Sequence, residues 1–288
     1  MTLAAPPLGG PLTRLRRRFG DRPHVALLET AARLGYLARG AVYLSVGVIA
    51  LLTALRLTPH AEGALGALEA WGDWPAGLAL LWLVGFGLYA FAGWRALQSV
   101  LDVDRCGRSP KALATRAGQA ISGLTYGGLA VSLFGLIDAL EDLHEADDQA
   151  ATRAFVEGVL DLPFGPLLVI GLGLFVLAAG VGSIARAAFD HFGRGLDCRI
   201  ETRAWAGGLA RLGYLGRGVA LLPAAGLLVN AGWHARASEA RGVGGALELV
   251  ATWPFGHTIL GLTALGLIAF GLFAVVEAWL RPMRLDPA

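Results

Sequence analysis

Apolar residues gather into six stretches long enough to cross a bilayer, near Gly40 to Thr58, Pro75 to Gln98, Ala117 to Asp138, Pro163 to Ala187, Gly213 to Gly232 and Pro254 to Trp279. Polar residues fall between them, so the pattern predicts an all-α polytopic membrane protein with six transmembrane helices. The odd-numbered stretches share a lead motif, Arg-x-Gly-x-x-x-x-Gly, which stands at Arg33 to Gly40, Arg116 to Gly123 and Arg211 to Gly218. The even-numbered stretches open on Pro75, Pro163 and Pro254, and six residues before each proline stands a glutamate: Glu69, Glu157 and Glu248. Lead motif and proline signature together define a two-helix hairpin used three times, over 31–104, 105–199 and 200–283, between a basic tail at 1–30 and a short tail at 284–288. A unit that crosses twice enters and leaves on one side. The three units are therefore parallel, with any pseudosymmetry axis along the membrane normal.

Proline suits the first turn of a helix, where an N–H has no intrahelical partner. The apolar spacing before each proline predicts a short amphipathic segment resting on the outer interface, with Trp71, Trp74 and Trp253 as belt residues.

Composition agrees with this class. The chain is 55% hydrophobic and 16% charged and carries 41 glycines, which excludes a soluble globule and suits close helix contacts. Of its 24 basic residues, 20 lie in or beside the N-terminal tail, the second and fourth loops and the C-terminal tail; the other four are Arg56, Arg153, Arg236 and Arg241. The positive-inside rule then places both termini in the cytoplasm. Two cysteines, Cys106 and Cys198, are too few for a disulfide framework and fall in loops that this topology keeps reducing.

The lead segments RLGYLARGAVYLSVG and RLGYLGRGVA, the PFG that opens the later even helices, and the closing AFGLFAVVEAWLRP resemble the bacterial membrane family catalogued as domain of unknown function 1206. The resemblance runs from about Ala31 to Met283 and implies three tandem two-helix units in a membrane. The middle copy departs from it, with Gln119 and Ser122 where the outer copies have tyrosine and arginine. No catalytic residue, cofactor or substrate comes with the family.

Candidate chemistry is sparse. The middle of the spans offers hydroxyls such as Ser45, Thr53, Ser122, Tyr126, Ser183 and Thr263 and no evident carboxylate or arginine of the kind an ion-coupled transporter needs. His60, His144 and His234 follow the odd spans but lack metal-ligand spacing, so no metal site is expected. Arg33, Arg39, Arg211 and Arg217 stand at the positive ends of helix dipoles beside glycines, which makes them candidates for anionic lipid phosphate as well as topology signals. Glu69, Glu157 and Glu248 are candidates for a shared outer-interface position. No nucleotide loop, nucleophile elbow or zinc-protease motif is present, and nothing points to nucleic acid, an enzyme or a cofactor. The expectation is a non-enzymatic helical module that binds lipid, another membrane protein or its own copy; the alternative is a small-molecule or ion pathway through a pseudo-threefold six-helix bundle.

Overall fold

In the computed structural model, residues 23–72, 74–102, 107, 109–141, 148–189 and 200–280 are described. They are almost wholly helical, without a strand among the described residues. The helices are α1 (Pro23–Ala54), α2 (Ala64–Glu69), α3 (Gly77–Leu101), α4 (Pro110–Glu141), α5 (Asp148–Leu160), α6 (Gly165–Phe189), α7 (Ile200–His234), α8 (Val243–Ala251) and α9 (Gly256–Leu280). Six of them, α1, α3, α4, α6, α7 and α9, are long and apolar enough to cross a membrane.

The odd spans begin earlier than their hydropathy indicates. Each lead motif lies inside a continuous helix: α1 starts at Pro23, α4 at Pro110 and α7 at Ile200. The arginines of these motifs are thus carried on helix faces rather than on a preceding loop. The short helices α2, α5 and α8 precede the even spans as expected, and they meet one another at the hairpin end of the bundle, opposite the lead motifs. Between each short helix and its span the chain turns through Pro-x-Gly. A Cβ at Gly77, Gly165 or Gly256 would run into backbone carbonyls of Trp71, Leu160 or Val250 at the end of the preceding helix, so only glycine closes this turn.

The packing order of the spans is α4, α3, α1, α9, α7, α6. Two kinds of seam build it. In the first, the second glycine of a lead motif lies against the even span of the neighbour that precedes it around the bundle: a Cβ on Gly40 would sit 3.0 Å from the Gly271 carbonyl oxygen, on Gly123 3.2 Å from that of Ala92, and on Gly218 2.8 Å from that of Gly180 in α6. Gly271, Ala92 and Gly180 stand at one position of the even spans, counted from their prolines. In the second, the first glycine of the motif lies against a phenylalanine of its own unit. A Cβ on Gly35 would be 2.7 Å from the Phe91 Cα, and on Gly213 2.6 Å from the Phe270 Cα.

The middle unit lacks the second kind of seam. Gly118 faces open space, and the residue in register with Phe91 and Phe270 is Ala179. Ile121 and Phe175 also replace the small pairs Ala38–Gly87 and Gly216–Gly266, which bring the helix axes together in the outer units. Among the described residues α4 and α6 accordingly do not pack along each other, so the middle two-helix repeat does not close on itself. The bundle is a six-span ring opened at one seam.

Candidate functional site

The four candidate arginines of the lead motifs, alike in sequence, go to three different places. Arg33 reaches across to α9, donating through Nη1 to the Ala278 carbonyl and, at 3.2 Å, to that of Trp279, while its Nη2 lies 2.6 Å from Glu29 Oε1. Arg116, which was not singled out from sequence, does the same to α3: its Nε donates to Ser99 O at 2.7 Å and its Nη2 to Val100 O at 3.1 Å. Ser99 and Val100 are in register with Ala278 and Trp279. The first arginine of the motif therefore caps the neighbouring unit's even span, satisfying terminal carbonyls that have no partner in their own helix and meeting the negative end of its dipole. Arg211, the third copy, is exposed.

Arg39 and Arg217 turn inward. They stand immediately before the second glycine of their motifs and, at six residues from Arg33 and Arg211, on a different helix face. The Arg39 side chain is only 3% exposed, and its guanidinium lies 4.5 Å from the Phe270 ring centroid and 5.5 Å from that of Phe91. Arg217 lies over the same Phe270 at 5.2 Å and over Tyr43 at 6.0 Å. One aromatic ring thus serves two cations. The nearest carboxylate is Glu277 of α9, 4.0 Å from Arg39. Nε of each arginine is buried with no hydrogen-bond partner among the described residues.

Aromatic edges hold this layer in place. Tyr36 meets Phe91 edge-on at 5.2 Å and Tyr214 meets Phe270 at 5.1 Å, each within its own unit. Tyr43 meets Phe270 at 4.6 Å and Tyr126 meets Phe91 at 4.9 Å, each across the glycine seam to the neighbouring unit. The Tyr126 hydroxyl donates to that of Tyr43 at 3.3 Å, so α1 and α4 touch where α7 brings Arg217. Three odd spans converge here, and inside the membrane-spanning segments the site collects Arg39 and Arg217, with Arg95 of α3 also over Phe91 at 5.1 Å, beside the Glu277 carboxylate. Such groups are costly in a bilayer and mark binding or transport sites by default. Sequence reading missed the layer because it placed both arginines at the lipid rim. The available signal was the i, i+4 spacing of Arg39 and Tyr43, with tyrosine again at Tyr126 in the middle unit.

The matched glutamates all lie on the short helices, at the hairpin end, but their partners differ. Glu248 is a three-way junction: His60 Nδ1 from the first unit lies 2.9 Å from Oε1, and Gln149 Nε2 from the second donates to Oε2 at 3.2 Å. Glu157 is exposed and Glu69 half-buried. His234 instead joins Glu239 at 3.0 Å. No cluster that could hold a metal ion occurs among the described residues; His144, Cys106 and Cys198, and the basic tail up to residue 22, lie outside them.

An uncharacterized protein of Bacillus subtilis (strain 168), YxxB, is 29% identical over 260 residues, covering 87% of this chain and 90% of the relative. No solved structure matches. The family described as Domain of Unknown Function (DUF1206) matches three successive segments, 34–102, 117–190 and 212–281, each running from a lead motif to the end of an even span, and the chain belongs to that family.

Proposed function

We propose that the protein is a non-enzymatic module of the bacterial cytoplasmic membrane, both termini cytoplasmic, that holds an anionic group of phosphate class, foremost an anionic lipid headgroup, at the Arg39–Arg217 layer. The observation that carries this reading is the charge of the layer: the buried Arg39 and the half-buried Arg217 share Phe270, and one carboxylate stands 4.0 Å from Arg39. An arginine at the middle of a span costs about 3 kcal/mol on insertion scales. A bound anion offsets that cost, and the planar fork of arginine suits phosphate oxygens. The open seam between α4 and α6, where Ser122 replaces the third arginine, gives a lateral approach from the bilayer. A transport pathway needs a continuous polar column. Val46, Ala50, Leu133, Ala220, Leu260 and Ala264 instead belong to a packed apolar core on the hairpin side of the arginines, which favours holding over conduction.

Native mass spectrometry of detergent-released protein tests the reading. Wild type retains anionic lipid, Arg39→Gln with Arg217→Gln loses it, and the corresponding lysine pair retains an intermediate amount because charge survives without the fork. Ser122→Arg, which adds the third cation, raises retention. Equal retention in wild type, the glutamine pair and the Ser122 variant overturns the proposal. Reporter fusions at Ala288 and within 146–152 are expected to read cytoplasm and exterior; one compartment for both rejects the topology.

A further inference from the structure

A second site lies at the hairpin end, away from the arginine layer. A cleft of about 730 Å³ opens between the end of α1, the chain that follows it, and the α8–α9 turn. That volume is in the range of pockets for small ligands. Its cations set it apart. Among the described residues four arginines, Arg56, Arg153, Arg236 and Arg241, stand at this end with nine carboxylates. Arg236 pairs with Glu239 at 3.4 Å, whereas Arg56 and Arg241 both line the cleft, and neither has a carboxylate partner among the described residues.

The remaining walls fit the same chemistry. His257 lines the cleft with a buried Nδ1 that makes no hydrogen bond among the described residues. Glu248, the only carboxylate on the wall, is already engaged by His60 and Gln149. Leu57 and Leu249 supply an apolar flank. Arg56 holds its place with φ of +60°, in the left-handed region that usually selects glycine at a helix C-terminus. A conformation unfavourable to arginine puts a guanidinium on the cleft wall.

We infer that this cleft binds an organic anion, a phosphate- or carboxylate-bearing group with a short apolar body, between Arg56, Arg241 and His257. The group comes either from a soluble anion or from an anionic headgroup of the adjoining leaflet. The site is independent of the arginine layer, so its test runs in protein carrying Arg39→Gln and Arg217→Gln as well as in wild type.

The probe is inorganic phosphate, titrated calorimetrically into the full chain in phosphatidylcholine nanodiscs. The Arg39/Arg217 variant is expected to keep a phosphate site, which Arg56→Gln or Arg241→Gln added to that variant weakens at least fivefold and Arg153→Gln, outside the cleft, leaves unchanged. Nanodiscs containing phosphatidylglycerol separate the sources: weaker phosphate binding there assigns the site to a headgroup, and unchanged binding assigns it to a soluble anion. No phosphate heat in the Arg39/Arg217 variant, undiminished binding after Arg56→Gln and Arg241→Gln are both added to it, or an equal loss on adding Arg153→Gln overturns the inference.

Discussion

The outer units and the middle unit carry the same lead motif, yet only the outer ones close on themselves. In the outer units Gly35 and Gly213 admit the backbone of Phe91 and Phe270, and Tyr36 and Tyr214 pack edge-on against those rings. In the middle unit Gln119 replaces the tyrosine, Ala179 the phenylalanine and Phe175 a small residue, and Gly118 meets nothing. The glycine seam to the neighbouring unit survives in all three. A glycine is therefore a contact only where its partner position is also kept: two adjacent seams, read from the same motif, are decided by separate residues on the facing helix.

The largest effect that sharpens this comparison comes from adding a side chain at the first glycine of the motif. Gly35→Val or Gly213→Val forces a Cβ onto a helix backbone and should destabilise the bundle by more than about 3 kcal/mol, while Gly118→Val should leave its thermal midpoint in detergent unchanged. Equal loss at all three positions would mean that the middle seam is closed after all. Next comes Phe270→Ala, which removes the ring shared by Arg39, Arg217, Tyr43 and Tyr214. It should cost about 3 kcal/mol, against little or nothing for the matched Ala179→Gly once glycine's helix penalty of about 1 kcal/mol is allowed for, as read by denaturant titration.

The smallest effect concerns the caps. Arg33→Gln and Arg116→Gln each leave two carbonyls without their cation and should cost about 1 kcal/mol, with faster hydrogen exchange confined to the last turn of α9 or α3. Arg211→Gln, whose side chain is exposed, should change neither. A cost at Arg211 equal to that at Arg33 would erase the distinction between them.

Hydropathy located the six spans because a bilayer demands length and apolarity from every crossing segment. The short helices were legible too, since proline and glycine mark a turn that few other residues can make. The inward course of Arg39 and Arg217 was not. A count of basic residues by loop treats Arg33 and Arg39 as one cluster, although six residues of helix turn them onto different faces. Nor does a repeat alignment reveal that Phe91 and Phe270 are what the first glycine needs, because the contact joins residues far apart in sequence. The open seam at α4 and α6 is readable in part, through Gln119 and Ser122; Phe175 and Ala179 are as apolar as the residues they replace, so hydropathy does not mark them.

The cap that Arg33 places on α9 also has a meaning in time. Arg33 and Ala278 are 245 residues apart, and at synthesis rates of about 5 to 20 residues per second the last span follows the first by roughly 10 to 50 s. Throughout that interval α1 stands in the membrane with Gly40 and Gly47 facing no α9, and its arginines lack the carbonyls, the carboxylate and the Phe270 ring that later receive them. The final helix is the one that joins α1 to α7. A chain that ends before Gly256 leaves this small-residue groove and the charges of the first span uncovered.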